Sequence, residues 1–125
     1  MDQKEKRRFE RMQFSGSNGI AGIFVSETHP DQSLTASIMD LSLGGMGIVF
    51  KKDISGLLHQ GDVLILSEIR NMTSLAFMKN IKMKIRWTVR QPPEQFAAGC
   101  EFVEISKDFA ETLQKVMDSW KIRII

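Results

Sequence analysis

Between residues 81 and 90 apolar and polar positions alternate: Ile81, Met83, Ile85, Trp87 and Val89 against Lys82, Lys84, Arg86, Thr88 and Arg90. Successive side chains of a strand point to opposite faces, so this period of two predicts a strand with one buried and one wetted face, as in an antiparallel sheet or barrel. On that pattern Trp87 falls with Met83 and Ile85 on the buried face. Further strands are predicted over 20–26, 34–40, 47–51, 62–69, 75–79 and 97–105. Turn-forming stretches separate them: 15–19, His29-Pro30-Asp31, Gly44-Gly45, Gly61-Asp62, Asn71 and Pro92-Pro93. Short strands so punctuated predict a small antiparallel barrel or sandwich. The period changes near the end, where Phe109, Leu113, Val116, Met117 and Trp120 recur at spacings of three and four. Ser106 stands where an N-cap belongs and Asp108 lies in the first turn, so a helix over 107–121 is predicted, its apolar stripe against the barrel. There is no internal repeat. The chain thus divides into an arm over 1–14, strands over 20–105 and the terminal helix, with the Gly/Ser-rich stretch 15–19 as a flexible joint.

Composition narrows the class. A chain of 125 residues, 42% apolar and 26% charged, reads as one globular domain large enough to build a core without staples. Its one cysteine, Cys100, excludes an internal disulfide and a cysteine zinc cluster, and fits a reducing compartment. No stretch approaches the roughly 18 apolar residues of a membrane span, and no apolar signal core follows the basic start. A cytoplasmic location is expected. Seventeen Lys and Arg against fifteen Asp and Glu leave +2, too little to imply wholesale binding to nucleic acid. The distribution is more telling, since Lys4, Lys6, Arg7, Arg8 and Arg11 crowd the arm.

Enzyme constellations are missing. His29 and His59 lie in loop-like sequence without acids or cysteine at metal-ligand spacing, and no phosphate loop, nucleophile elbow or His-Glu-x-x-His occurs. Neither catalysis nor a metal or cofactor is expected. Two stretches do carry chemistry. In Arg7-Arg8-Phe9-Glu10-Arg11, guanidinium forks can pair with phosphate oxygens or the O6/N7 edge of guanine, and can lie flat on a base. In Asp40-Leu41-Ser42-Leu43-Gly44-Gly45-Met46-Gly47, a carboxylate can accept guanine N–H groups, a hydroxyl can reach phosphate or backbone, and glycines permit close approach of a ligand. Taken singly, the first is as readily a solvated tail and the second a Ser-capped turn.

Together, Arg-x-x-x-Arg followed some 30 residues later by Asp-x-Ser-x-x-Gly between two strands resembles the PilZ domain, the bacterial receptor module for the second messenger cyclic di-GMP. The likeness spans nearly the whole chain, and Gly99-Cys100-Glu101-Phe102 before the helix is similar to the family's last strand. It implies a six-stranded antiparallel β-barrel. It places Arg7 and Arg11 on the family's paired arginines, Arg8 as the additional arginine between them, and Asp40, Ser42 and Gly45 on the second motif. The implied roles are guanine-edge and phosphate contacts for the arginines, guanine N–H acceptance for Asp40, and hydroxyl and backbone lining for Ser42, Gly45 and the adjacent Gly44. Lys6 stands where a cation in similar domains accompanies two stacked, intercalated ligand molecules per protomer. Trp87 has two readings, core residue or an aromatic set against the ligand bases. The stretch 15–19 departs from the Pro-Val sequence with which relatives often lead into the first strand.

The resemblance implies a ligand-gated adaptor whose arm orders on binding cyclic di-GMP and which acts on an effector protein in trans, in control of motility, biofilm, exopolysaccharide or virulence. The alternative is a PilZ-fold protein-interaction module that binds no nucleotide. A third reading, a barrel that binds nucleic acid through Lys82, Lys84, Arg86 and Arg90, is set aside because Trp87 is expected on the opposite face from these cations.

Overall fold

In the computed structural model, which describes residues 11–14, 19–92 and 94–124, the chain runs β1 (Met12–Gln13), β2 (Ala21–Ser26), β3 (His29–Leu41), β4 (Gly45–Phe50), β5 (Val63–Arg70), β6 (Ile81–Gln91), β7 (Gln95–Phe102) and α1 (Lys107–Ile124). All strand pairs are antiparallel, in the order β1-β3-β2-β5-β6-β7-β4, and a further β3–β4 pairing closes β2 to β7 into a six-stranded barrel. β1 is an addition to the predicted set. It continues the line of β2 along the end of β3, pairing Met12 with Leu41 and Gln13 with Asp40.

The barrel interior follows from alternation. Phe24, Leu64, Leu66, Met83, Ile85, Phe96, Ala98, Ile48 and Ile38 are each at most 2% exposed. Phe50 bridges Phe24 and Phe96 at ring-centroid distances of 6.3 Å each. Full burial of an aliphatic or aromatic side chain of this size contributes about 1.5–3 kcal/mol, so this set is a large part of the fold's driving force. α1 stops one end of the barrel. The Ser106 hydroxyl accepts the Phe109 N–H at 3.0 Å, the expected cap, and Phe109, Leu113 and Met117 are buried. Phe109 lies 5.6 Å from both Phe77 and Phe102, and Trp120 meets Phe14 edge-on at 5.5 Å. Cys100 points into this core, where desolvation pushes its thiol up to about 12, so it is a packing group and stays protonated.

Three expectations are corrected. Residues 75–79 form no strand: a 3-10 turn, Thr73–Leu75, leads into a plug in which Leu75 and Met78 are fully buried. A short apolar run has no period long enough to separate the two outcomes. The first hairpin turns at Glu27 and Thr28 instead of His29-Pro30-Asp31. There the Ser26 hydroxyl accepts the Thr28 N–H at 3.2 Å and meets the Thr28 hydroxyl at 2.9 Å, fixing a tight turn. Pro30 is accommodated where β3 has a strand on one side only. Finally, Trp87 is 50% exposed and Val89 47%, outside the barrel. A β-bulge between Ile85 and Trp87 inserts Arg86 into the register with β7, which turns every later side chain of β6 over.

Candidate functional site

β3, β4, β7 and β6 lie side by side, and one rung of cross-strand partners runs Asp40, Gly47, Gly99, Trp87. Such partners share a face. Here it is the outer one, because Met46, Ile48, Ala98 and Cys100 in between are buried inside. Three strand spacings put roughly 14 Å between the ends of the rung. Each end is turned outward by a bulge. Ala36 and Ile38 point inward, so strict alternation would send Asp40 inward too; the irregularity between Ile38 and Asp40 takes up Met39 and delivers the carboxylate to the surface. The Arg86 bulge does the same for the indole at the other end.

The two glycines make the floor of this trough. A Cβ on Gly47 would come within 2.9 Å of the Asp40 carboxylate, and one on Gly99 would fall inside the Trp87 ring. Carboxylate and indole therefore each lean over a bare main chain on adjacent strands. A planar base laid on the indole would present its edge to the carboxylate. Asp40 is held in that pose: its Oδ1 accepts the Gly47 N–H at 3.0 Å and an Arg11 guanidinium N–H at 2.6 Å. Arg11 owes its place to β1, whose pairing with the end of β3 sets the preceding residue beside Asp40. The ion pair is partly open to water, with side-chain exposures of 34% and 24%, so it is exchangeable.

Ser42, Gly44 and Gly45 form the turn between β3 and β4. The Ser42 hydroxyl accepts the Gly44 N–H at 3.1 Å and donates to the Gly45 carbonyl at 3.4 Å; at 2% exposure it faces into the turn. It positions the turn and does not line the outer face. Gly45 is required for a reason different from ligand approach: a Cβ there would overlap the Cys100 carbonyl across the β4–β7 pair. The structure thus brings Arg11, Asp40 and Trp87 to one surface, with Gly44 and Gly45 in the turn and strand start that follow Asp40. Lys6, Arg7 and Arg8 lie outside the described residues. Gly47 closes the glycine-rich stretch already singled out in the sequence, whereas Gly99 lies outside both motifs, and its place under the indole exists only once β6 and β7 pair.

Gly99→Ala is expected to shift unfolding free energy by no more than about 1 kcal/mol, because the obstructing group is the movable end of a side chain. Trp87 should swing off the floor, read as a change in tryptophan emission in a Trp120→Phe background; unchanged emission would contradict the packing of indole on Gly99.

The outward Trp87 removes the ground on which nucleic-acid binding was set aside. The cations around it supply another. Lys82, Arg86 and Arg90 stand 3.8, 3.8 and 2.8 Å from Glu27, Glu101 and Asp53, so that face is a mosaic of both signs. Hydrogen bonds from Ser55 and the Arg90 charge hold Asp53 below the usual carboxylate range, in keeping with an ionised pair. Among the described residues no three His, Cys, Asp or Glu side chains gather as a metal site, and no helix is long and apolar enough to cross a membrane.

No curated protein sequence matches the chain. Among solved structures, the fold is similar to the PilZ domain of YcgR from Escherichia coli, solved with c-di-GMP, at 18% identity and TM-score 0.70 over 95% of this chain and 94% of that one. It is also similar to the K. pneumonia MrkH–c-di-GMP complex, at 14% identity and TM-score 0.71 over 94% of this chain and 52% of that one. A third likeness is to the Bacillus subtilis inhibitor of motility MotI/DgrA, at 16% identity and TM-score 0.65 over 94% of this chain and 52% of that one. The chain therefore spans about half the length of the two larger proteins. The PilZ domain family matches residues 5–119, from the basic arm to the last turns of α1. With the barrel, the rung and that match together, the chain belongs to the PilZ domain family.

Proposed function

We propose that the protein is a receptor for cyclic di-GMP which passes the signal to a protein partner. The observation that carries this is the Asp40 carboxylate, fixed by the Gly47 N–H and paired with Arg11, beside the outward indole of Trp87. A guanine stacked on Trp87 would direct its N–H edge to Asp40, a charge-assisted acceptor already oriented for it. Arg11 would then exchange a carboxylate for a phosphate or the O6/N7 edge, with Arg7 and Arg8 contributing the same chemistry from the arm. Ser42, Gly44 and Gly45 hold the turn from which Asp40 is presented. Lys6 favours two intercalated ligands per protomer. Solved relatives lend support, since YcgR and MrkH are described in complex with c-di-GMP. The partner is an effector protein in the cytoplasm, and the output is control of motility, attachment, exopolysaccharide or virulence. No step here requires catalysis or a cofactor.

Calorimetric titration with cyclic di-GMP, with GTP and cyclic di-AMP as controls, tests the reading. Selective binding to the wild type, lost in Arg7→Ala/Arg11→Ala, is expected, with a molar ratio near two. No heat from a folded protein at ligand concentrations well above micromolar would overturn it and leave the nucleotide-free interaction module.

A further inference from the structure

The barrel is closed along only part of β3. That strand pairs with β2 from His29 to Ser37, but its opposite edge meets β4 only from Ser37 onward. Upstream of Ser37 the two strands diverge and a cleft of ≈ 750 Å³ opens between them. Main-chain alternation says which groups face it. The Ile38 N–H donates to the Ile20 carbonyl at 3.0 Å, on the β2 side. Alternate residues of an antiparallel strand direct their N–H and C=O to opposite sides. Ala36 and Leu34 are thereby paired toward β2, while the N–H and C=O of Ser33 and Thr35 point into the cleft, where they have no strand partner among the described residues.

The remaining walls say what would complete this edge. Leu34 and Phe50 line the cleft, as do Lys51 and Lys52 on the segment leaving β4. Among the described residues neither lysine is paired with an acid, and the adjacent Asp53 is held by Arg90 at 2.8 Å. An unpaired strand edge in water is a template for another strand, and peptides commonly bind by adding one.

We propose that this seam is a docking site for an extended acidic segment of a partner protein, which adds as a strand to β3. Its main chain pairs with Ser33 and Thr35, apolar side chains of one face rest on Leu34 and Phe50, and carboxylates meet Lys51 and Lys52. Main-chain pairing supplies affinity and the lysines supply sign and register. Thr35 stands five residues before Asp40 on the same strand, roughly 17 Å along it, so a partner seated in the seam shares β3 with the candidate nucleotide site. The inference rests on main-chain geometry and charge and holds whether or not a nucleotide binds.

The test uses the full chain labelled with ¹⁵N and an acetylated heptapeptide alternating valine and glutamate, with a valine–lysine peptide as control. Amide exchange at Ser33 and Thr35 is expected to slow at least about tenfold with the glutamate peptide and not with the lysine peptide. Lys51→Glu/Lys52→Glu, a surface change that leaves β3 intact, should weaken the glutamate peptide by about tenfold or more and admit the lysine peptide. Unchanged exchange at saturating peptide, or shifts mapping elsewhere, would overturn the proposal. So would strong protection of both amides in the free protein, which would give the seam to another segment of this chain.

Discussion

Gly45→Ala should destabilise the protein by about 3 kcal/mol or more, the range of the worst overpacking substitutions. The added methyl would overlap the carbonyl of Cys100, with the Glu101 Cα also at 3.0 Å. These are main-chain atoms of a strand hydrogen-bonded to β4, so relief requires the β4–β7 pair itself to separate. Gly56→Ala is the control. It has open space around the same methyl and no positive φ, and should change stability by less than about 0.5 kcal/mol. Urea denaturation of both variants checks the contrast, and a Gly45→Ala midpoint equal to wild type would remove the steric argument.

Asp40→Ala should lower affinity for cyclic di-GMP by at least about 100-fold, near 2.7 kcal/mol, since it removes the one carboxylate on the rung. Stability should fall by only about 1 kcal/mol, the usual value of one hydrogen bond, here that from Gly47 N–H, because the part-exposed Arg11 pair adds little. Asp40→Asn separates the two roles. Its amide oxygen still accepts the Gly47 N–H, so folding should be unaffected, but its NH₂ meets the donor edge of guanine with another donor. Calorimetry on the three proteins gives the order wild type far above Asn and Ala; an Asn variant binding like wild type would show that Asp40 does not receive guanine N–H groups.

What could be read in advance was whatever alternates or repeats. Residues 81–85 and the helix stripe from Phe109 to Trp120 announce their elements because burial imposes their period. The Asp-x-Ser-x-x-Gly motif located the turn that presents Asp40. The plug after Asn71 was hidden because Leu75 and Met78 are buried from an irregular backbone, where no period exists to detect. Of the two readings of Trp87, the alternation favoured the core for a different reason: a bulge leaves no mark on composition, and residues after Arg86 keep a regular alternation that belongs to the wrong face. The floor glycines were concealed too, since what they make room for, a carboxylate and an indole from neighbouring strands, exists only after pairing.

Those two irregularities give the site an unusual kind of dependence on the chain. Asp40 and Trp87 reach solvent because one residue is left out of the pairing on each strand, Met39 on β3 and Arg86 on β6. Which face the proposed ligand would meet is in this sense a matter of parity. Straightening either strand at constant length would invert it, sending the carboxylate or the indole toward the core without altering any side chain of the site, whereas loss of the extra residue itself would remove the bulge and leave the side chain outward. The outward pose of both side chains is thus held by the extra residue and the bulge together, so what a change at Met39 or Arg86 alters is the local twist of the strand and not the face it presents.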